Sequence, residues 1–267
     1  MQLKNKSVHI GDTDMYYVSF GSGNKKMVVL PGLSDGLATV KGKALFLCAP
    51  YKRFLKEYTV YMFSRKNHMP VGYSIRQMAD DQAVAMHMLD IEKSAILGVS
   101  QGGMIAQYLT IDHPELVDKL ILTVTAPYTN EIIRDAVGSW IQMAKQQDHL
   151  SLMVDTAEKM YSKTYLDKNS RFFPFIAKFT KPKSYERFFR NACAILDFDA
   201  REFLGTVSCP TLIIAGDDDN TVGNEAPYEL NKLIPDSRLY IYKGLGHGIF
   251  EEAKDFYDRV YEFCEKK

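Results

Sequence analysis

Apolar residues along this chain gather in short, nearly unbroken runs. Between the runs they recur every three or four positions. Met27 to Leu30 ends at Pro31-Gly32, and Tyr58 to Phe63 is rich in β-branched and aromatic side chains. Ala95 to Leu97 ends at Gly98, Leu120 to Val124 ends near Pro127, Thr211 to Ile214 ends at Ala215-Gly216, and Leu239 to Tyr242 ends before Gly244. Runs without polar alternation predict strands covered on both faces, as in a parallel sheet. Ser74 predicts an N-cap for a helix with apolar positions Ile75, Met78, Ala79, Ala83, Met86 and Leu89. Met104, Ile105, Tyr108 and Leu109 predict a second helix that ends near His113-Pro114, and Ile249 to Val260 a third. Strands and helices in alternation predict an α/β fold with a mostly parallel central sheet flanked by helices. A hairpin, Val8-Ile10 and Met15-Phe20 across Gly11-Asp12, precedes it.

One stretch departs from the alternation. From Ala126 to about Ser208 no strand pattern occurs, and Ile132 to Ala144, Leu152 to Tyr161, and Tyr185 to Ile195 read as helices. Without a repeat or a flexible linker, residues 127–208 are expected to form a helical lid inserted in one domain spanning 1–267. Its aromatics, among them Tyr128, Trp140, Phe172, Phe173, Phe175, Phe188 and Phe189, are expected mainly in the lid's own core, with an apolar pocket wall as the alternative.

Composition narrows the partners. Lys+Arg and Asp+Glu both number 33 in 267 residues, so no electrostatic case exists for nucleic acid or an anionic membrane. Met1 to Ile10 has Lys4 and Lys6 but no apolar stretch like that of a secretory signal, and no window approaches a membrane span. Cys48, Cys193, Cys209 and Cys264 are scattered without a CxxC pair, so reduced thiols and a cytoplasmic location are expected.

Gly98-Val99-Ser100-Gln101-Gly102 fits G-x-S-x-G, with a further glycine at Gly103. Alone the pattern is too common to decide anything. Here it stands directly after a strand and before a helix, the setting it needs. A serine presented at a sharp turn is expected at positive φ, and its neighbours must lack Cβ to avoid collision. The helix start beneath it offers free N–H groups where an oxyanion forms.

The serine needs a base. His247, in Gly244-Leu245-Gly246-His247-Gly248, follows the last strand; His9, His68, His87, His113 and His149 fall on a hairpin strand, loops or helix faces, where a solvated or structural role is expected. The imidazole needs an acceptor to hold its tautomer. Asp217, Asp218 and Asp219 follow the strand Thr211-Ile214; Asp219 lies farthest into the loop and is preferred, with Asp218 the alternative. A metal reading of the three carboxylates is poor, because adjacent aspartates rarely converge on one ion. The oxyanion hole is assigned to the amides of Gln101 and of Leu33, since Pro31 has no N–H and Gly32 permits close approach.

The order Ser100, Asp219, His247, with a helical insertion between the first two, resembles the α/β-hydrolase superfamily. It is most similar to the branch of small esterases, enol-lactonases, carbon–carbon bond hydrolases, cofactor-free haloperoxidases and proline iminopeptidases. The resemblance covers nearly the whole chain and implies that fold, no cofactor and no metal. The family's acid usually sits three residues beyond a glycine, as Asp219 does after Gly216. Leu33 and Gln101 match the family's oxyanion-hole positions. The chain departs at Pro31-Gly32, where relatives often have His-Gly, and at Ser64 to Pro70, where they carry Asp-x-Arg-Gly-x-Gly. The implied activity is hydrolysis of a small-molecule carboxylic ester, with thioester, lactone or amide next. Alternatives are perhydrolysis or carbon–carbon bond hydrolysis on the same triad, and a non-catalytic small-molecule receptor or binding module. The oligomeric state is not encoded in any of these features.

Overall fold

The computed structural model describes residues 2–266. Eight strands, β1 (Gln2–Ile10), β2 (Thr13–Gly21), β3 (Lys25–Leu30), β4 (Tyr58–Lys66), β5 (Ser94–Val99), β6 (Val117–Thr123), β7 (Thr211–Gly216) and β8 (Ser237–Tyr242), form one sheet in the order β1-β2-β4-β3-β5-β6-β7-β8. β1–β2 and β2–β4 pair antiparallel; every later pair is parallel. The hairpin turns at Gly11, whose φ of 63° suits a residue without Cβ.

The near-continuous apolar runs have the cause expected of them. Val28, Leu30, Ile96, Leu120, Leu122 and Ile213 belong to one core. Their chain neighbours Met27, Val29, Ala95, Leu97, Ile121 and Ile214 belong to another on the opposite face. Both faces are therefore covered by helices, and a polar residue on either would be buried without a partner.

The helices are α1 (Ala44–Leu47), α2 (Ile75–Met88), α3 (Gln101–Asp112), α4 (Glu131–Lys145), α5 (His149–Met160), α6 (Lys163–Asn169), α7 (Phe173–Thr180), α8 (Glu186–Leu196), α9 (Ala226–Leu233), α10 (Ile249–Glu252) and α11 (Phe256–Glu265). Ser74 does cap α2: its hydroxyl accepts the Gln77 N–H at 3.1 Å, and the Gln77 side chain accepts the Ser74 N–H at 3.0 Å. α4 to α8 make the helical insert between β6 and β7.

Three details differ from the sequence pattern. The closing helix is broken: Ala253 is extended and Asp255, held by the Tyr242 hydroxyl at 2.8 Å, starts a new helix. α9 buries Ala226, Pro227 and Leu230 on two turns, too short a run for a period to register. In the insert, Trp140, Phe173 and Phe188 are buried, but Phe172 and Phe175 are 46% and 66% exposed. Hydrophobicity predicts burial without saying whether a neighbouring element arrives to provide it.

Candidate active site

Ser100 sits between β5 and α3 with φ 53° and ψ −120°. A side-chain-bearing residue there costs roughly 1–3 kcal/mol and persists only where its surroundings enforce it. The enforcement is visible. The Ser100 N–H donates to Thr123 O at 2.9 Å, and its carbonyl accepts from the Gly103 N–H and the Thr125 hydroxyl, both at 2.8 Å. The glycines are steric requirements: a Cβ on Gly98 would lie 2.6 Å from the Gly103 Cα, one on Gly102 1.9 Å from Leu30 O, and one on Gly103 2.6 Å from the Thr125 side chain. Ser100 itself keeps partial exposure, as an attacking hydroxyl requires.

The loops after β7 and β8 are laced together at the same edge of the sheet. The Asp218 N–H donates to Leu245 O at 3.0 Å, and the Gly244 N–H to Asp217 Oδ1 at 2.6 Å. A Cβ on Gly216 would lie 2.0 Å from Leu245 O, so the two loops approach as closely as backbone allows. The three aspartates diverge. Asp217 caps the turn and faces Lys243 at 3.3 Å, Asp218 is exposed, and Asp219 is buried. Asp219 Oδ2 meets His247 Nδ1 at 2.8 Å, with both side chains at most 4% exposed. Asp219 Oδ1 accepts the N–H groups of Thr221 (2.8 Å) and Val222 (2.9 Å), which fixes its rotamer. Such a carboxylate orients a ring and stabilises its protonated form. No hydrogen bond joins the Ser100 hydroxyl to His247 here; in unliganded sites that contact is often long and tightens with substrate.

The turn Leu33–Gly36 after β3 lies against the serine: a Cβ on Gly32 would be 3.3 Å from Ser100 Cβ and 3.8 Å from its Oγ. Neither the Leu33 nor the Gln101 backbone N–H has a hydrogen-bond acceptor among the described residues. Two unspent donors beside a strained serine can hold a developing oxyanion. No group of three potential metal ligands occurs among the described residues, nor any helix long and apolar enough to cross a membrane.

A profile described as the alpha/beta hydrolase fold matches residues 57–254. The chain belongs to the α/β-hydrolase fold family. It is 28% identical over 193 residues to the AB hydrolase superfamily protein YisY of Bacillus subtilis, across 69% of this chain and 70% of that protein. It is 23% identical over 214 residues to 3-oxoadipate enol-lactonase 2 of Acinetobacter baylyi, across 78% and 77% of the two. The crystal structure of MGS-M2, an alpha/beta hydrolase enzyme from a Medee basin deep-sea metagenome library, superposes with a TM-score of 0.88 at 17% identity over 98% of both chains. At that identity the likeness speaks for the fold alone.

Within this α/β-hydrolase, pattern reading missed Thr125, whose hydroxyl holds the serine's carbonyl, and Arg65, fully buried at the end of β4. Arg65 donates to the Gln101 side chain at 2.9 Å. Its signal was available: an arginine closing an apolar strand must be bound by something.

Proposed function

We propose that this α/β-hydrolase is a cofactor-independent serine hydrolase acting through Ser100, His247 and Asp219. His247 takes the proton as Ser100 attacks a carbonyl carbon, and the Leu33 and Gln101 amides hold the tetrahedral oxyanion. The leaving group departs with the proton, and water, activated by the same imidazole, releases the acyl group. The observation carrying this reading is the buried 2.8 Å contact between Asp219 and His247, with the second carboxylate oxygen tied to two backbone amides. A structural ion pair has no need of an unspent pair of N–H donors and a strained serine at the same sheet edge. A small-molecule carboxylic ester is the proposed substrate class, and the similarity to an enol-lactonase puts lactones next. Residues 127–208 serve as a lid within one domain, and four free thiols fit a reducing, cytoplasmic setting.

The test is a chain-length series of aryl acyl esters, run with a fluorophosphonate probe on wild type and Ser100→Ala. Turnover and labelling are expected in the wild type and neither in the folded variant. Equal turnover by the two proteins refutes the choice of nucleophile, and a wild type inert to ester and probe alike favours the binding-module alternative.

A further inference from the structure

Between the proposed oxyanion hole and the helical insert lies a buried group of charges that the mechanism above does not use. Asp35, in the turn that carries Leu33, is 2% exposed and Arg65 is 1% exposed. Asp35 Oδ2 accepts the Arg65 backbone N–H at 2.9 Å and lies 3.8 Å from the Arg65 guanidinium. Arg187, from α8 of the insert, reaches into this pair. Its Nη2 donates to Asp35 Oδ2 at 2.6 Å and to the Arg65 carbonyl at 2.8 Å, and its Nη1 donates to the Asp35 carbonyl. Burial alone would push the Asp35 carboxyl upward, but Arg187 and then Arg65 outweigh it and hold the group below its ordinary value. The Asp35 carboxylate is therefore ionised at neutral pH.

The same helix also grips the other arm of the hole. The Gln101 side chain accepts from Arg65 at 2.9 Å and donates to the Asn191 carbonyl at 2.7 Å, while the Asn191 side chain donates back to the Arg187 carbonyl at 2.8 Å. Packing is close enough that a Cβ on Gly36 would lie 3.0 Å from Phe188 Cα. The Leu33 turn and the Gln101 helix start thus meet one surface, the inner face of α8. We propose that Arg187 and Asp35 are positioning residues that hold the two oxyanion-hole amides in register, making α8 a fixed buttress of the hole rather than a moving part of the lid.

This inference rests on the proposed serine-hydrolase reading, since it needs the Leu33 and Gln101 amides to face an oxyanion. Its geometry is specific to a fork. A guanidinium can serve the Asp35 carboxylate and two carbonyls together, whereas an ammonium on a flexible stem cannot hold all three in one plane. Arg187→Met leaves one carboxylate facing one guanidinium, so no uncompensated charge is buried and the variant is expected to fold.

The test measures kcat and KM for an aryl acetate on wild type, Ser100→Ala, Arg187→Lys and Arg187→Met, with near-ultraviolet circular dichroism as the check of folding. Losing an oxyanion donor outright costs about 10²–10³ in kcat; misplacing both is expected to cost Arg187→Met at least about tenfold, with KM within about threefold. Arg187→Lys is expected in between. Folded Lys and Met variants with wild-type kcat overturn the proposal while leaving the triad intact. So does loss of fold in both, which would make the contact structural only, or a rise in KM at constant kcat. A wild type without turnover, or Ser100→Ala with full turnover, removes the underlying reading and this inference with it.

Discussion

Replacing Asp219 with asparagine isolates the His–Asp contact, because shape and volume are kept while the charge goes. The outcome is set by the two backbone donors on Oδ1. The Thr221 and Val222 N–H groups, at 2.8 and 2.9 Å, require an acceptor, so they retain the amide oxygen and turn the variant's NH₂ toward His247 Nδ1. A donor facing Nδ1 makes that nitrogen the acceptor and moves the ring proton to Nε2. A ring protonated on Nε2 cannot take the proton of Ser100. The same tautomer error in serine proteases costs about 10⁴-fold in kcat, or roughly 5 kcal/mol of transition-state stabilisation.

Stability responds far less. Two charge-assisted backbone bonds become neutral ones, at about 1 kcal/mol each, so Tm is expected to fall by roughly 5 °C. The assay is kcat and KM on an aryl acetate, with calorimetry, for Asp219→Asn beside Asp218→Asn as the exposed control. A four-decade loss in the first and none in the second is the expected pattern. Asp219→Asn within about tenfold of wild type would refute the tautomer argument; a loss confined to Asp218→Asn would move the acid to the neighbouring residue.

Three further expectations rest on other parts of the fold. Gly102→Ala puts a Cβ 1.9 Å from Leu30 O, an atom of the central sheet, whereas a Cβ on Gly138 in α4 meets nothing within 4 Å. Gly102→Ala is expected to abolish soluble expression, and Gly138→Ala to raise Tm through a gain of up to about 1 kcal/mol; soluble Gly102→Ala protein with a wild-type Tm contradicts the packing. Cys193 is exposed, while burial pushes the Cys264 thiol up to about 12, so a disulfide reagent should modify Cys193 first and reach Cys264 only on unfolding. His149, bonded to Thr180 at 3.1 Å between α5 and α7, has its pKa lowered from 6.5 by burial and, less, by Lys181. The unfolded chain then binds more protons than the folded one, so this stability is whole above about pH 6.5 and is lost as pH falls through the folded value. Tm between about pH 7.5 and about pH 5 should drop more in wild type than in His149→Gln, and equal slopes would remove His149 as the cause.

The positions of the candidate residues were legible for a topological reason. β3, β5, β6, β7 and β8 run parallel in adjacent places, so whatever follows each strand emerges at one edge. An apolar run followed by Pro31-Gly32, Gly98-Val99-Ser100 or Ala215-Gly216 therefore announces both a strand and a residue at that edge. The strictness of the glycines follows from backbone oxygens at 1.9–2.0 Å from the absent Cβ atoms of Gly102 and Gly216. Local chain order and spatial position coincide there, which is why Leu33, Gln101, Asp219 and His247 could be placed at that edge without coordinates.

Lateral contacts obey no such rule. Asp35, Arg65 and Arg187 meet across 30 and 122 residues of chain, the separations their hydrogen bonds span. Each alone reads as an ordinary polar residue on a turn, a strand end or a helix face. Only the packing of α8 over the Leu33–Gly36 turn makes them one cluster. Phe172 and Phe175 fail in the opposite sense, since they are apolar yet stand 46% and 66% exposed. A periodic pattern records what a segment could bury, and the partner that does the burying is a property of the whole chain. Error in reading this fold is therefore concentrated in the insert, where five helices lie outside the sheet's order. The insert's contribution to the proposed reaction is therefore read from substitutions there, beginning with Arg187.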